Sequence, residues 1–246
     1  MEVKMNIHDT MKLKGRVRVW RKNENSGLLL SDHTHGNTAT DWARAVLAQL
    51  ILTSPNSEAT VLTKSRPLYI ALGTGTGIPS RTDSSMFAEV FGTRKAITYT
   101  SAFQAYIAQM TANYQTTDPN GTFMEAGLWD SNVSTTTLNA NAAAGATSIT
   151  VPATAPAVNG STVSGQYTTI YISDGTNSEY ASIAVTTTAG TLTWQLQSGL
   201  QYAHNSGVTI MAFTGNLWGH VAFSGAGETK GTGQALVIQW SEYIDA

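Results

Sequence analysis

His33-Thr-His35 places two imidazoles at positions i and i+2. On a strand such residues face one side. Two imidazoles so placed bind a transition metal when further ligands close the site, as around a three-fold axis where three chains supply six nitrogens. Asp32 is the only adjacent oxygen ligand, and an exposed polar loop before a helix explains the same residues. His204 and His220 stand alone in sequence, as surface or hydrogen-bonded core histidines do. Glu125 and Asp130 flank one predicted strand, five residues apart and therefore on opposite faces. A glycosidase needs two carboxylates converging on one bond. Gly73-Thr-Gly-Thr-Gly77 lacks the Gly-Lys-Ser/Thr of a phosphate loop and runs into Ile78-Pro79, so it reads as a tight turn at a strand end. No serine sits in a Gly-x-Ser-x-Gly elbow. No nucleophile, base and oxyanion donors assemble, so no enzyme, catalytic residue or cofactor is expected.

The densest charge lies in Met11-Lys-Leu-Lys-Gly-Arg-Val-Arg-Val-Trp20. Leu13, Val17 and Val19 alternate with Lys12, Lys14, Arg16 and Arg18, which is the period of a strand with one buried face. A nucleic-acid stripe would also interleave aromatic side chains. Only Trp20 is near, so no nucleic-acid partner is expected. The four basic residues are candidates for an assembly interface with an acidic neighbour, and a solvated face explains them too. The whole chain is similarly polarised. Residues 1–95 hold thirteen basic and eight acidic residues, a net of +5, and residues 96–246 hold one and eight, a net of −7.

These residues must be positioned by a mostly β chain. The 246 residues are 41% hydrophobic but only 12% charged, with a net charge of −2. An ordinary soluble domain is about a quarter charged. Thr, Ser, Ala, Asn and Gly fill the polar positions, and β-branched Thr suits half-buried strands. No cysteine is present, so disulfides and thiolate metal sites are excluded. No apolar run reaches the ~18 residues of a membrane span, and the N-terminus lacks a signal peptide's apolar core, so neither membrane insertion nor secretory export is expected.

One helix is expected near residues 40–53, capped by Thr38 or Thr40, with Trp42, Val46, Leu47, Leu50 and Ile51 on its apolar stripe and Ser54-Pro55 ending it. Strands are expected at Leu68–Leu72, from Arg94 to Met110 with Ile97, Tyr99, Phe103 and Ile107 on one face, at Thr122–Trp129, at Leu217–Phe223 and at Gln234–Tyr243. Residues 138–212 contain no lysine or arginine and hold five short strand candidates between Gly-, Asn- and Ser-rich turns. They read as a small β-barrel or sandwich inserted into a loop. The chain then divides into an arm at 1–11, a discontinuous β-sandwich or jelly-roll-like core at 12–137 and 213–246, and the insertion. Tyr167, Tyr171, Tyr180, Trp194 and Tyr202 could offer stacking faces to a glycan, or fill the insertion's own core.

Leu68-Tyr-Ile-Ala-Leu-Gly-Thr-Gly-Thr-Gly-Ile-Pro-Ser-Arg-Thr-Asp83, Met124-Glu-Ala-Gly-Leu-Trp-Asp130 and Leu217-Trp-Gly-His-Val-Ala-Phe223 occur in that order. Over roughly residues 11–130 and 215–246 the chain resembles structural proteins of bacteriophage morphogenesis clusters, of the tail-fibre, baseplate and decoration type. The 138–212 segment is similar to small β modules of phage and prophage surface proteins. The resemblance implies a non-enzymatic virion component, made in the host cytoplasm, that assembles with other virion proteins and with copies of itself. Trimers are common among such proteins. It also implies, as an alternative, a receptor-binding module that meets host-surface glycan through the insertion.

Overall fold

The computed structural model describes residues 12–52, 66–102 and 107–245. It is all-β with one helix, and two five-stranded antiparallel sheets form a sandwich. β1 (Lys12–Asn23), β2 (Leu29–Gly36), β6 (Thr98–Ala102), β7 (Ile107–Tyr114) and β18 (Gln234–Asp245) make the first sheet, in the order β2-β1-β18-β7-β6. β3 (Thr38–Ala39), β4 (Tyr69–Gly73), β5 (Lys95–Ala96), β9 (Glu125–Trp129) and β16 (Leu217–Ala222) make the second, in the order β3-β16-β9-β4-β5. β8 (Gly121–Phe123) and β17 (Glu228–Lys230) form a short ribbon.

Alternation decides the core. Val17 and Val19 of β1 point inward and are fully buried, while Arg16 and Arg18 are exposed. Trp240 and Ile238 lie opposite them on β18, and Met110, Ala112 and Tyr114 continue the layer on β7. The second sheet answers with Ile70, Leu72, Ala126, Leu128 and Val221. Its outer face is covered as well, because the chain after β4 folds back over it. Ala71, Met86, Trp129 and Leu217 pack there as a second cluster. Burial on both faces explains why Glu125 to Trp129 shows no polar alternation: all five residues are buried.

The expected strand from Arg94 to Met110 is broken into β5, β6 and β7, because the chain doubles back and Ala102 pairs with Ile107. Tyr99 pairs with Met110, so a period-two pattern persists across the reversal and conceals it. Phe103 lies outside the described residues. The expected strand from Thr122 to Trp129 changes sheets at Met124, whose N–H donates to Gly73 O at 2.8 Å. The helix, α1 (Asp41–Leu52), begins after Thr40, whose Oγ1 accepts from Ala43 N at 3.4 Å. Ala43 and Val46 are buried, whereas Trp42, one turn before Val46, is 40% exposed at the edge of the stripe. The side chains of Leu47, Leu50 and Ile51 lie outside the described residues.

The five strand candidates of residues 138–212 appear as β11 (Ser148–Thr150), β12 (Thr169–Ser173), β13 (Ser178–Ser182), β14 (Thr193–Gln195) and β15 (Thr209–Ala212). β10 (Ser134–Thr137) joins them, pairing with β15, so this sheet starts a few residues before 138. The sheet β10-β15-β12-β13 and the ribbon β11-β14 enclose a separate cluster that includes Leu138, Val151, Ile170, Ile183, Trp194 and Ile210.

The segment leaves and rejoins the sandwich at one point. Asp130 N donates to Asn216 O at 3.2 Å, and Asn216 N returns a bond to Asp130 Oδ1 at 2.8 Å. Replacing Asn132–Thr214 by a short Gly/Ser turn is therefore expected to leave a soluble sandwich that melts cooperatively. Its melting temperature should fall, because surface now covered by the insertion becomes exposed. Thermal circular dichroism measures this, and an insoluble or non-cooperative product would overturn it.

Candidate functional site

The three motif segments meet at one buried network. Glu125 leaves the outer face of β9, and His220 leaves the same face of β16 beside Gly127. Asp83 arrives in the loop that folds over them. His220 Nε2 lies 2.7 Å from Glu125 Oε2, and its Nδ1 lies 2.7 Å from Asp83 Oδ2. Glu125 also accepts from Gly75 N at 3.1 Å, Ala88 N at 2.7 Å and Phe87 N at 3.0 Å. Asp83 accepts from Ser80 N at 2.8 Å. Relative exposure is 0% for Glu125 and His220 and 6% for Asp83.

The glycine repeat has its reason here. A Cβ on Gly73 would collide with the Glu125 carboxylate, and one on Gly75 or Gly77 with Phe87. The backbone must approach closely, and only glycine permits it. The segment does bind an anion through an amide, but the anion is the chain's own Glu125.

Burial pulls the His220 pKa down, but hydrogen bonds to Asp83 and Glu125 outweigh it, and the net shift is upward. A protonated imidazole donates through both nitrogens, matching two carboxylate acceptors. Almost wholly buried, the network holds the 74–90 loop against the sheet.

A second network ties the loop to the insertion. Arg94 Nε and Nη2 donate to Glu89 Oε1 and Oε2 at 2.6 and 3.0 Å, with both side chains almost wholly buried. Arg94 Nη1 donates to Ser131 O at 3.0 Å and Thr214 O at 2.6 Å, one carbonyl on each connection to the insertion. Its guanidinium lies 4.0 Å from the centre of the Trp129 ring. Nearby, Gly165 O accepts from Ser84 N at 2.8 Å and Ser85 N at 2.9 Å.

His33 and His35 do share a face on β2, but only His35 is buried, and the His33 side chain is 56% exposed. Both reach Glu228 Oε1, His33 through Nδ1 at 2.7 Å and His35 through Nε2 at 3.1 Å. Both nitrogens lie within hydrogen-bond distance of the same carboxylate oxygen. Burial raises the Glu228 pKa, but the hydrogen bonds to His35 and His33 outweigh it and lower it overall. Among the described residues, no group of three or more His, Asp or Glu side chains is arranged to hold a metal. His204, 2% exposed, is a core histidine, with Nε2 2.9 Å from Glu179 Oε1.

Arg16 and Arg18 stand on the solvent face of the first sheet. Arg18 is not free: it forks onto Asp32 at 2.8 and 2.5 Å. The side chains of Lys12 and Lys14 lie outside the described residues. Of the glycan candidates, Trp194 is fully buried in the insertion's core and offers no face. Tyr171 is stacked on Phe91 at 4.7 Å with ring planes 5° apart. Tyr180 is anchored at its hydroxyl, which accepts from Phe91 N at 2.9 Å, but the residue remains 47% exposed. Tyr202 is half-buried.

Sequence reading missed Asp83, Glu89 and Arg94 as partners. The available signal was that each motif segment carries one residue of the network: Asp83, Glu125 and His220. No protein-family model matches the chain, and no curated protein matches it.

Proposed function

We propose that this chain is a non-enzymatic structural component of a bacteriophage particle, in the tail fibre, baseplate, collar or capsid decoration, and that it acts by protein–protein assembly. The observation that carries the reading is the Asp83–His220–Glu125 network. The chemically capable residues of the three motif segments saturate one another beneath a loop and brace a scaffold. The outside of that scaffold suits contact with neighbours. β2 is a sheet edge. At its start Leu28, Leu29 and Leu30 are 63%, 51% and 40% exposed. An unpaired edge and a run of exposed apolar side chains both favour association. Arg16 and Arg18 lie on the adjacent strand, and the assembly is a homo-oligomer, with a trimer the first choice by resemblance.

The test replaces Lys12, Lys14, Arg16 and Arg18 together with Gln. Folding should survive, since exposed charges contribute little individually. Incorporation into particles, read by mass spectrometry of purified virions, should fall. Wild-type incorporation of the variant would remove this face from the assembly, and absence of the wild-type chain from virions would overturn the reading.

A further inference from the structure

A cleft of ≈ 220 Å³ opens between the insertion and the loop over the second sheet, lined by Thr74, Phe87, Glu89, Tyr180, Thr169 and Ser182 among others. It is smaller than a drug-sized pocket of about 300 Å³ or more, and suits one ring-sized ligand. We propose that it binds a single neutral pyranose residue.

Three observations point to that ligand class. First, the hydroxyls of Thr74, Thr169 and Ser182 have no hydrogen-bond partner among the described residues, although all three residues line the cleft. Thr169 pairs with Ser182, and Tyr171 with Tyr180. Strand alternation therefore puts Thr169, Ser182 and Tyr180 on one face, the face toward the loop. Unused hydroxyls can donate and accept, as recognition of a polyol requires. Second, the half-exposed Tyr180 supplies an aromatic wall. It is fixed before any ligand arrives, because its hydroxyl is held by Phe91 N and its ring packs beside Tyr171 at 5.0 Å. An amphipathic sugar ring stacks on such a wall with its C–H face. Third, the cleft carries no unpaired charge. Glu89 is its only ionisable carboxylate, and both oxygens are taken by Arg94. An anionic sugar would find no cation to meet it, and a neutral one loses nothing.

The opposite wall is equally prepared. Phe87 and Ala88 donate their backbone N–H groups to Glu125, so the buried network holds that wall in place. This assigns glycan contact to the cleft rather than to an open stripe of tyrosines. It is independent of assembly, since a subunit without the sugar site would still incorporate into particles.

Saturation-transfer-difference NMR on the full chain tests it, using methyl glucoside, methyl galactoside, methyl mannoside and N-acetylglucosamine, with N-acetylneuraminic acid as the anionic probe. At least one neutral sugar should show transfer with millimolar affinity, and the anionic probe none. The double variant Thr74→Val, Thr169→Val replaces hydroxyls by methyls of similar shape, and should lose at least about five-fold of the signal while its melting temperature stays unchanged. If that variant is unstable, Ser182→Ala serves as the second reading of the same loss. No transfer from any neutral sugar, transfer only from the anionic probe, or transfer unaffected in both variants would overturn the proposal.

Discussion

Glu125→Ala is expected to destabilise the protein by about 3–5 kcal/mol, the cost of breaking a buried ionic network by removing one partner. The substitution leaves the N–H groups of Gly75, Phe87 and Ala88 without their acceptor, and His220 without one of its two carboxylates. Each stranded buried donor costs about 1–3 kcal/mol before relaxation. Glu125→Gln should be milder but still costly, because an amide nitrogen would face a donor at Phe87 N or His220. Urea unfolding monitored by fluorescence measures both. A loss below about 1 kcal/mol for the alanine variant would mean the network is not a stability determinant.

The same network sets a pH dependence. The His220 pKa is raised in the folded protein, so its contribution is fully present below its unfolded value of about 6.5. It is lost as pH rises through the folded value. Wild-type stability should therefore decline on the alkaline side of about pH 6.5, and His220→Gln should remove that part of the slope. Parallel slopes for the two proteins would exclude His220 as its source.

Arg94→Met is expected to cost about 3–5 kcal/mol and to loosen the insertion. Removing the guanidinium leaves Glu89 buried without its partner, and burial already pushes that carboxyl upward against the opposing pull of Arg94. It also releases Ser131 O and Thr214 O, the two carbonyls that bring the connections together. Limited proteolysis should then show faster cleavage near residues 131–133 and 214–216. The double variant Glu89→Gln, Arg94→Met should recover part of the stability, because an uncharged pair needs less compensation. It should not restore protease resistance, since the two carbonyls stay unbound. Equal cleavage rates for wild type and Arg94→Met would show that Arg94 does not clamp the connections.

Much of the fold was legible because it is local. The alternation of Val17 and Val19 with Arg16 and Arg18 placed β1 and its faces correctly, since a period of two follows from strand geometry alone. The lack of lysine and arginine in residues 138–212 marked a stretch whose buried side chains form their own cluster. Where periodicity was shared between competing structures, it misled. A hairpin and a long strand give the same alternation around Tyr99 and Met110. Trp42 is consistent with an apolar helix stripe, yet the buried side is centred on Ala43 and Val46.

The candidate sites were legible only as fragments. By itself the sequence determined strands such as β1, β4, β16 and β18, the glycine-rich strand end, the isolated histidines and the basic face, because each depends on neighbours a few residues away. Tertiary structure alone decided what those residues do. His220 and Asp83 are 137 residues apart, His33 and Glu228 are 195 apart, and Arg94 and Thr214 are 120 apart. A hydrogen bond requires its atoms within about 3 Å, and separation along the chain carries no information at that scale. The second sheet supplies it by pairing β9 with β16 side by side, with the loop folded back across both. The carboxylates then lose water, and that loss obliges each to find a histidine, an arginine or a backbone amide.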